Sequence, residues 1–329
     1  MRPSGQICLS GAAAFRRRGA HRLGAVMAMK GRWLWTLAAA GLAVMLLAQA
    51  QTAADAVREG IELCLRAVIP SLFPFFAVSS LLVSLGAAEA AGRVLARPFR
   101  RLFRCGGAGC AALLLGLVGG YPVGARTAAA LVRQGTLTRE EGGRLLTFCN
   151  NAGPAFAVGV AGVTVFASAR VGAYLYLIHV TAALVTGLLL CRRGSPSPSA
   201  AVPAPAVTGL AQRLLSAVTD AAAAMGRVCA FVVFALVLLR LAETATGAWS
   251  APAAGFVELT NGILRLTPDR RGFVTAAALL GWGGLSVYGQ TAAVTAGSGI
   301  PLGRYLPAKA VQAALSAGLA WLAAPHLLP

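Results

Sequence analysis

Long apolar runs with almost no charged residues are the feature that most constrains this chain. They occupy 33–50, 55–86, 145–167, 171–191, 225–241 and 306–322. The run 55–86 begins amphipathic and then becomes wholly apolar, and Pro70 and Pro74 are predicted either to break it near the interface or only to kink it. A helix that crosses a bilayer needs roughly 20 mostly apolar residues, which these runs approach or exceed. Soluble domains carry roughly 25% charged residues, whereas this chain has 12%. The sequence therefore excludes an ordinary soluble protein and predicts an all-α, polytopic integral membrane protein.

The basic residues indicate membrane orientation better than they indicate a nucleic-acid partner. The formal net charge is +19, but no basic stretch is interleaved with aromatics on a polar domain, so we expect no nucleic acid. Arginines cluster at 93–104, 133–144 and 192–193, and the positive-inside rule places these segments in the cytoplasm, with 93–104 as a short loop. Arg265, Arg270 and Arg271 then fall outside, against the rule.

The chain divides into two predicted membrane halves. Residues 1–28 are an extension that is either disordered or upstream of the true start. Residues 29–193 form the first half, beginning with a signal anchor that leaves the N-terminus in the cytoplasm. Residues 194–212, rich in Pro, Ser and Ala, are a flexible cytoplasmic linker. Residues 213–329 form the second half, and an interfacial helix is predicted around 210–218.

Two similar interrupted segments predict an inverted repeat. The apolar arms before Gly119-Gly120 and Gly283-Gly284 are too short to cross a membrane, so both segments are predicted to be re-entrant hairpins. Aligned at an offset of 164, GGYPVGARTAAA and GGLSVYGQTAAV agree at six of twelve positions. Three predicted spans separate them, and an odd number of crossings inverts the second copy. Inverted repeats with broken helices are typical of secondary transporters, whose substrate binds near the midplane.

The first interrupted segment is predicted to bind an anion. Pro122 cannot donate a backbone hydrogen bond, and such a break within a membrane is tolerated beside a cavity. The helix that resumes there presents its positive N-terminal end. Arg126 follows one turn later and either binds substrate or extends to the cytoplasmic headgroups. The candidate substrate-binding residues of this segment are Gly119, Gly120, Tyr121, Pro122, Gly124 and Arg126.

A second break is predicted at NNAGP, where Pro154 leaves the carbonyl of Asn150 without a helical donor. Asn150 and Asn151 either bind substrate or a coupling ion, or form hydrogen bonds between helices through their side-chain amides.

Polar residues in the second half and in one earlier span complete the candidate site. Gln290 aligns with Arg126 and is a candidate substrate ligand. Glu258 and Asn261 are candidates for a proton or coupling-ion site, with an exposed loop acid as the alternative for Glu258. His179, in the middle of a span, is either a proton relay or a packing residue.

The sequence offers no recognisable catalytic or metal-binding set. The seven cysteines are scattered, the three histidines lie far apart, and no Walker loop, Gly-x-Ser-x-Gly or His-Glu-x-x-His motif occurs. We expect neither an enzyme nor a bound cofactor or metal.

The segments PSLFPFFAVSSLLVSLG, GYPVGAR and RLLTFCNNAGPAFAVGV resemble the sporulation integral membrane proteins of the YlbJ type, which contain nucleoside-recognition Gate domains. The resemblance covers roughly 33–325 and is most specific over 119–159. It implies a relative of concentrative nucleoside transporters that moves a small anion, dipicolinic acid, into the developing spore. A nucleoside carrier and a non-transporting scaffold of spore maturation remain alternatives. The expected partners are the anionic substrate, the lipid of the plasma or forespore-enclosing membrane, other sporulation membrane proteins and a second copy of the chain.

Overall fold

The computed structural model describes Trp33 and residues 36–191 and 209–327. The predicted extension 1–28 lies outside these residues. Of the linker predicted at 194–212, residues 194–208 also lie outside them. The chain divides into two units, 1–54 and 55–329. In the first unit, helix α1 (Thr36–Ala48) lies within the run predicted as a signal anchor.

Every regular element in the described part of the chain is a helix. Two of them, π1 and π2, are π-helices, in which each turn is wider than in an α-helix. The elements after α1 are α2 (Ala50–Leu63), π1 (Cys64–Val68), α3 (Ile69–Ser84), α4 (Ala87–Phe103), α5 (Gly109–Gly119), α6 (Val123–Arg133), α7 (Arg139–Cys149), π2 (Ala155–Val165), α8 (Ala169–Leu190), α9 (Leu210–Thr246), α10 (Ala251–Val257), α11 (Leu259–Leu264), α12 (Arg270–Trp282), α13 (Gly284–Thr295) and α14 (Tyr305–Leu327).

Four helical stretches among the described residues are long and apolar enough to cross a membrane: α8, α9, α12 with α13, and α14. The prediction of an all-α, polytopic membrane protein is confirmed. The predicted interfacial helix at 210–218 is not separate, because it continues without interruption into α9.

Two stretches are interrupted where the sequence contains glycine and asparagine: the span predicted at 145–167 and the stretch of α12 with α13. They are called the first and second interrupted spans. α7 ends at Cys149, and the chain is extended at Asn150 before π2 begins at Ala155. α12 and α13 form one stretch of 26 residues, interrupted at Gly283, whose φ of 84° is left-handed and suits glycine.

Two hairpins of short helices pack against these spans, and the second is not where the sequence predicted it. α5 and α6 form the first hairpin, with Gly116 and Gly124 in close contact. α10 and α11 form the second, joined at Glu258, with Gly255 against Gly262. The prediction of a hairpin around Gly283-Gly284 is wrong, since these residues interrupt a span. The six matches were shared Gly, Ala, Val and Thr, which are common in such segments and do not distinguish a hairpin from an interrupted helix.

Two other local predictions were wrong for identifiable reasons. Pro70 and Pro74 do not break the second span, because π1 widens the helix up to Val68 and α3 then runs from Ile69 through both prolines. The arginine-rich segment 93–104 is not a loop, because apolar residues recur at helical spacing in α4. Phe99 and Phe103 stack on Phe148 of α7, which fixes that helix to the bundle.

Candidate functional site

A narrow pocket lies where both hairpins and both interrupted spans meet. Its cavity volume is about 50 Å³, room for little more than ordered water. Rings of Phe75, Phe76 and Phe156 line it together with the backbone of the breaks. From the candidate residues, the lining includes Gly119, Gly120, Tyr121, Glu258 and Gln290. The structure therefore brings together candidates that are up to 171 positions apart, from Gly119 to Gln290.

Asn150 joins three helices behind this pocket. Its side chain is fully buried, and its Oδ1 accepts from the backbone N–H of Ala125 in α6 at 3.4 Å. Its Nδ2 donates to Thr291 Oγ1 in α13 at 2.8 Å and to the Tyr305 hydroxyl in α14 at 3.0 Å. In this conformation the side-chain amide of Asn150 forms hydrogen bonds between helices, which was one of its two predicted roles.

The carbonyl of Asn150, freed by Pro154, accepts a hydrogen bond from the ammonium of Lys309. Lys309 is fully buried in α14, and its Nζ also donates to Gln312 Oε1 at 2.8 Å. The rings of Tyr121 and Tyr305 lie 5.6 and 5.7 Å from Nζ, within the range of cation–π attraction. Sequence analysis missed Lys309, although Tyr305, Lys309, Gln312 and Ser316 form a polar stripe at helical spacing within a membrane helix.

Asn151 and His179 lie beside the same break and do not line the pocket. Asn151 Nδ2 donates to the carbonyl of Phe148 at 2.7 Å, and its Oδ1 accepts from Gln312 Nε2 at 3.1 Å. The N–H of Ala152 donates to His179 Nε2 at 3.1 Å. That bond requires Nε2 to be unprotonated, so the ring proton is on Nδ1, which has no partner.

Glu258 is buried at the junction of α10 and α11, so it is not the exposed loop acid of the alternative. Its Oε2 accepts from the backbone N–H of Asn261 at 2.8 Å and from Asn261 Nδ2 at 2.9 Å. Asn261 therefore orients the carboxylate rather than lining the pocket itself. No group of three His, Cys, Asp or Glu side chains suited to a metal ion occurs among the described residues.

Gln290 and Tyr121 approach the pocket from opposite halves. Gln290 is buried, and its Oε1 has no hydrogen-bond partner, so it can accept one from a ligand. The Tyr121 hydroxyl donates to the carbonyl of Leu280 at 3.2 Å, and its ring separates the pocket from Lys309. The peptide bond between Tyr121 and Pro122 is cis.

Three candidates of the first hairpin lie away from the pocket lining. Pro122 precedes the first residue of α6, and Gly124 is pressed against the carbonyl of Cys149. The Arg126 side chain is 46% exposed, and its guanidinium lies 3.5 Å from the Asp220 carboxylate of α9. Its role in binding stays a prediction.

A wider cavity of about 800 Å³ opens between α7 and α14. Arg144 and Arg304 line it together with Glu140, and it reaches Ala308, the residue before Lys309. Its excess of positive charge favours the approach of anions.

These features define the class of protein, an integral membrane protein whose interrupted helices enclose a central pocket. Within that class, residues 65–191 match the Gate family model, described as "Nucleoside recognition". The chain is also 34% identical over 150 residues to "Sporulation integral membrane protein YlbJ" of Bacillus subtilis (strain 168). The resemblance inferred from the sequence is therefore confirmed.

The similarity is confined to part of each protein. The alignment covers 45% of this chain and 36% of YlbJ, so the chain spans about a third of that relative. No solved structure matches. The Gate match includes the breaks at 119–121 and 150–154, whereas Glu258, Gln290 and Lys309 lie beyond it.

Proposed function

We propose that this protein is a sporulation carrier that moves a small anionic metabolite, such as dipicolinic acid, across the forespore membrane. The observation that carries the proposal is the central pocket, which is lined by chain breaks from both halves. Binding at the junction of broken helices is the arrangement used by many secondary transporters. The similarity to a sporulation membrane protein supports the physiological setting.

The lining suits a flat ring with polar substituents. Phe75, Phe76 and Phe156 offer apolar faces, and aromatic walls with a few polar groups are typical of small-molecule sites. Gln290 offers an unpaired acceptor. The cavity of about 50 Å³ must widen to admit cargo, so the conformation described here is a closed one in this proposal.

Three sources of positive potential favour an anion. α6 begins directly after the Tyr121-Pro122 turn, and α13 begins beside Glu258, so the positive ends of both helices adjoin the pocket. The ammonium of Lys309 lies behind the Tyr121 ring. The arginines that line the wider cavity, Arg144 and Arg304, add positive potential on that side of α14.

Glu258 sets the coupling in this proposal. An ionised carboxylate in the lining repels an anion, whereas a protonated one does not. Binding of anion and proton are therefore mutually favourable, and the linkage is reciprocal. The carrier consequently moves its anion together with a proton.

A second candidate is a nucleoside carrier. Glu258 and Gln290 are hydrogen-bond acceptors of the kind that bind hydroxyl and amino groups, and the described residues that line the pocket include no cationic side chain. The description of the matched family favours this class of cargo.

Uptake by proteoliposomes tests the proposal and separates the candidates. Dipicolinate uptake should be driven by an inward proton gradient, and nucleosides should not compete. Glu258→Gln mimics the protonated acid, so we expect uptake to continue without acceleration by the proton gradient. Glu62→Gln, an exposed acid paired with Arg66, is the matched control and should behave as wild type.

Three other outcomes would contradict the proposal, each in a different part. Uptake of nucleosides but not dipicolinate would replace the first candidate with the second. Uptake of neither, with loss of sporulation partners on deletion, would favour the scaffold. Unchanged proton dependence in Glu258→Gln would remove Glu258 from coupling.

A further inference from the structure

Lys309 is a buried basic side chain that has no acidic partner among the described residues. It is fully buried within a membrane-spanning helix, where an ammonium group is costly. No ion pair found among the described residues includes it. A residue so placed in a membrane protein calls for a functional explanation.

Neutral oxygen atoms surround the ammonium in place of an acid. Nζ donates to the carbonyl of Asn150 and to Gln312 Oε1, and two tyrosine rings face it. The carbonyl belongs to the residue that directly follows α7, so the cation adjoins the negative C-terminal end of that helix. Carbonyl oxygens at an unwound helix are the ligands that hold monovalent metal ions in transporters and channels.

The oxygen ligands are positioned independently of Lys309. Gln312 is held by the bond from its Nε2 to Asn151 Oδ1, and Asn151 is held in turn by the carbonyl of Phe148. The carbonyl of Asn150 is free because Pro154 cannot donate to it. The same oxygens would therefore face the vacated space if the ammonium were removed.

We propose that the Lys309 ammonium occupies a site for a monovalent metal cation in place of the metal, so that the protein supplies its own cation and requires no sodium or potassium. The cation site itself does not depend on what is transported. Its consequence for coupling, that uptake needs no alkali metal gradient, rests on the proposed transport function.

Thermal unfolding of the purified full-length protein tests the site directly. Wild type should unfold at the same temperature in sodium, potassium or choline chloride of equal concentration. Lys309→Ala should unfold at a lower temperature in choline, and sodium or potassium should restore about 2–4 °C in a saturable manner, because an ion now binds the vacated oxygens. Arg133→Ala, which removes an exposed cation at the end of α6, is the matched control and should show no ion-specific shift.

Two results would overturn the proposal. One is stabilisation of wild type by sodium or potassium beyond choline. The other is a folded Lys309→Ala whose unfolding temperature does not respond to either ion. If Lys309→Ala does not fold, Lys309→Met, which retains most of the side-chain volume, takes its place. Lys309→Met should be less stable than wild type in choline, and sodium or potassium should not restore its stability. The comparison of wild type in sodium, potassium and choline then decides.

Uptake measurements separate this inference from the proposed function. Wild-type uptake that is equal with and without alkali metal ions supports both, and sodium-dependent uptake overturns the inference. If no cargo is moved but the thermal shifts are as expected, the transport function fails and the cation site stands.

Discussion

At the scale of single residues, the buried polar groups have distinct surroundings. Asn150 is bonded on both sides of its amide and at its carbonyl, and Glu258 is oriented by Asn261. Gln290 Oε1 is without a partner. A buried acceptor left unpaired is costly, so the free acceptor, rather than the saturated amides, is where a ligand gains most.

Arg126 lies at the edge of this arrangement and tests the anionic cargo. Its guanidinium is half-exposed and paired with Asp220, so solvent screens its attraction for an anion. We expect Arg126→Ala to raise the KM for dipicolinate about twofold to fivefold at low salt, with little change in maximal rate. Initial uptake rates at several salt concentrations measure this.

Arg133→Ala, an exposed arginine on the same helix, is the control and should leave KM unchanged. Complete loss of uptake in folded Arg126→Ala would mean direct contact with the cargo in another conformation. An unchanged KM would remove Arg126 from binding.

At the scale of elements, glycine allows the first hairpin to meet the first interrupted span. Gly116 of α5 and Gly124 of α6 both face the carbonyl of Cys149, and a Cβ on either would overlap that oxygen. Small residues at helix contacts let backbones approach closely within membranes. This contact places Ala125 within reach of Asn150.

Gly124→Ala should therefore destabilise the protein by roughly 2–4 kcal/mol, since backbone rather than a movable side chain must give way. Gly226→Ala is the matched control, because Gly226 lies in a helix with open space around it and alanine is the better helix former. Unfolding temperatures of the two variants measure the difference. Equal stability of Gly124→Ala and wild type would contradict the close contact.

The sequence predicted the positions of the breaks better than their architecture. Gly119-Gly120, Asn150 to Pro154 and Gly283 all interrupt helices as expected, because glycine, proline and unpaired amides act locally. Whether a break closes a hairpin or bends a span depends on which helices pack together, and a local pattern does not encode that. Lys309 was overlooked although a polar stripe surrounds it in α14, because the partner that defines its surroundings, the carbonyl of Asn150, lies 159 positions earlier in the chain.

At the scale of the whole molecule, the second unit has two recognisable ends. At one end, Gly142 and Gly143 near the start of α7 pack on Ile300 and Pro301, which precede α14. At the other, Phe166 after π2 meets Phe273 near the start of α12. The α6–α7 loop and the α11–α12 loop therefore lie at opposite ends of the spans.

The packing also suggests how a repeat would be paired. α3 packs on α9, α8 on α14, α6 on α13 and α11 on π2. Each half thus contributes, in the same order, a long helix, a hairpin, an interrupted span and a further span, with α4 as an addition in the first half. The inverted repeat remains a prediction, and this pairing replaces the offset of 164.

Opposite exposure of the two loops is the consequence that tests the inverted arrangement. Gln134 in the first loop and Pro268 in the second are both exposed. Among the cysteines of the described residues, all are buried except the half-buried Cys229, so a background lacking reactive thiols is within reach. In intact cells a membrane-impermeant maleimide should label Pro268→Cys. Gln134→Cys should be labelled only after the cells are permeabilised, because the arginines of 133–144 mark the cytoplasmic side. Labelling of both from the same side would contradict the three crossings between the loops, and labelling in the reverse sense would keep the inversion but reverse the orientation.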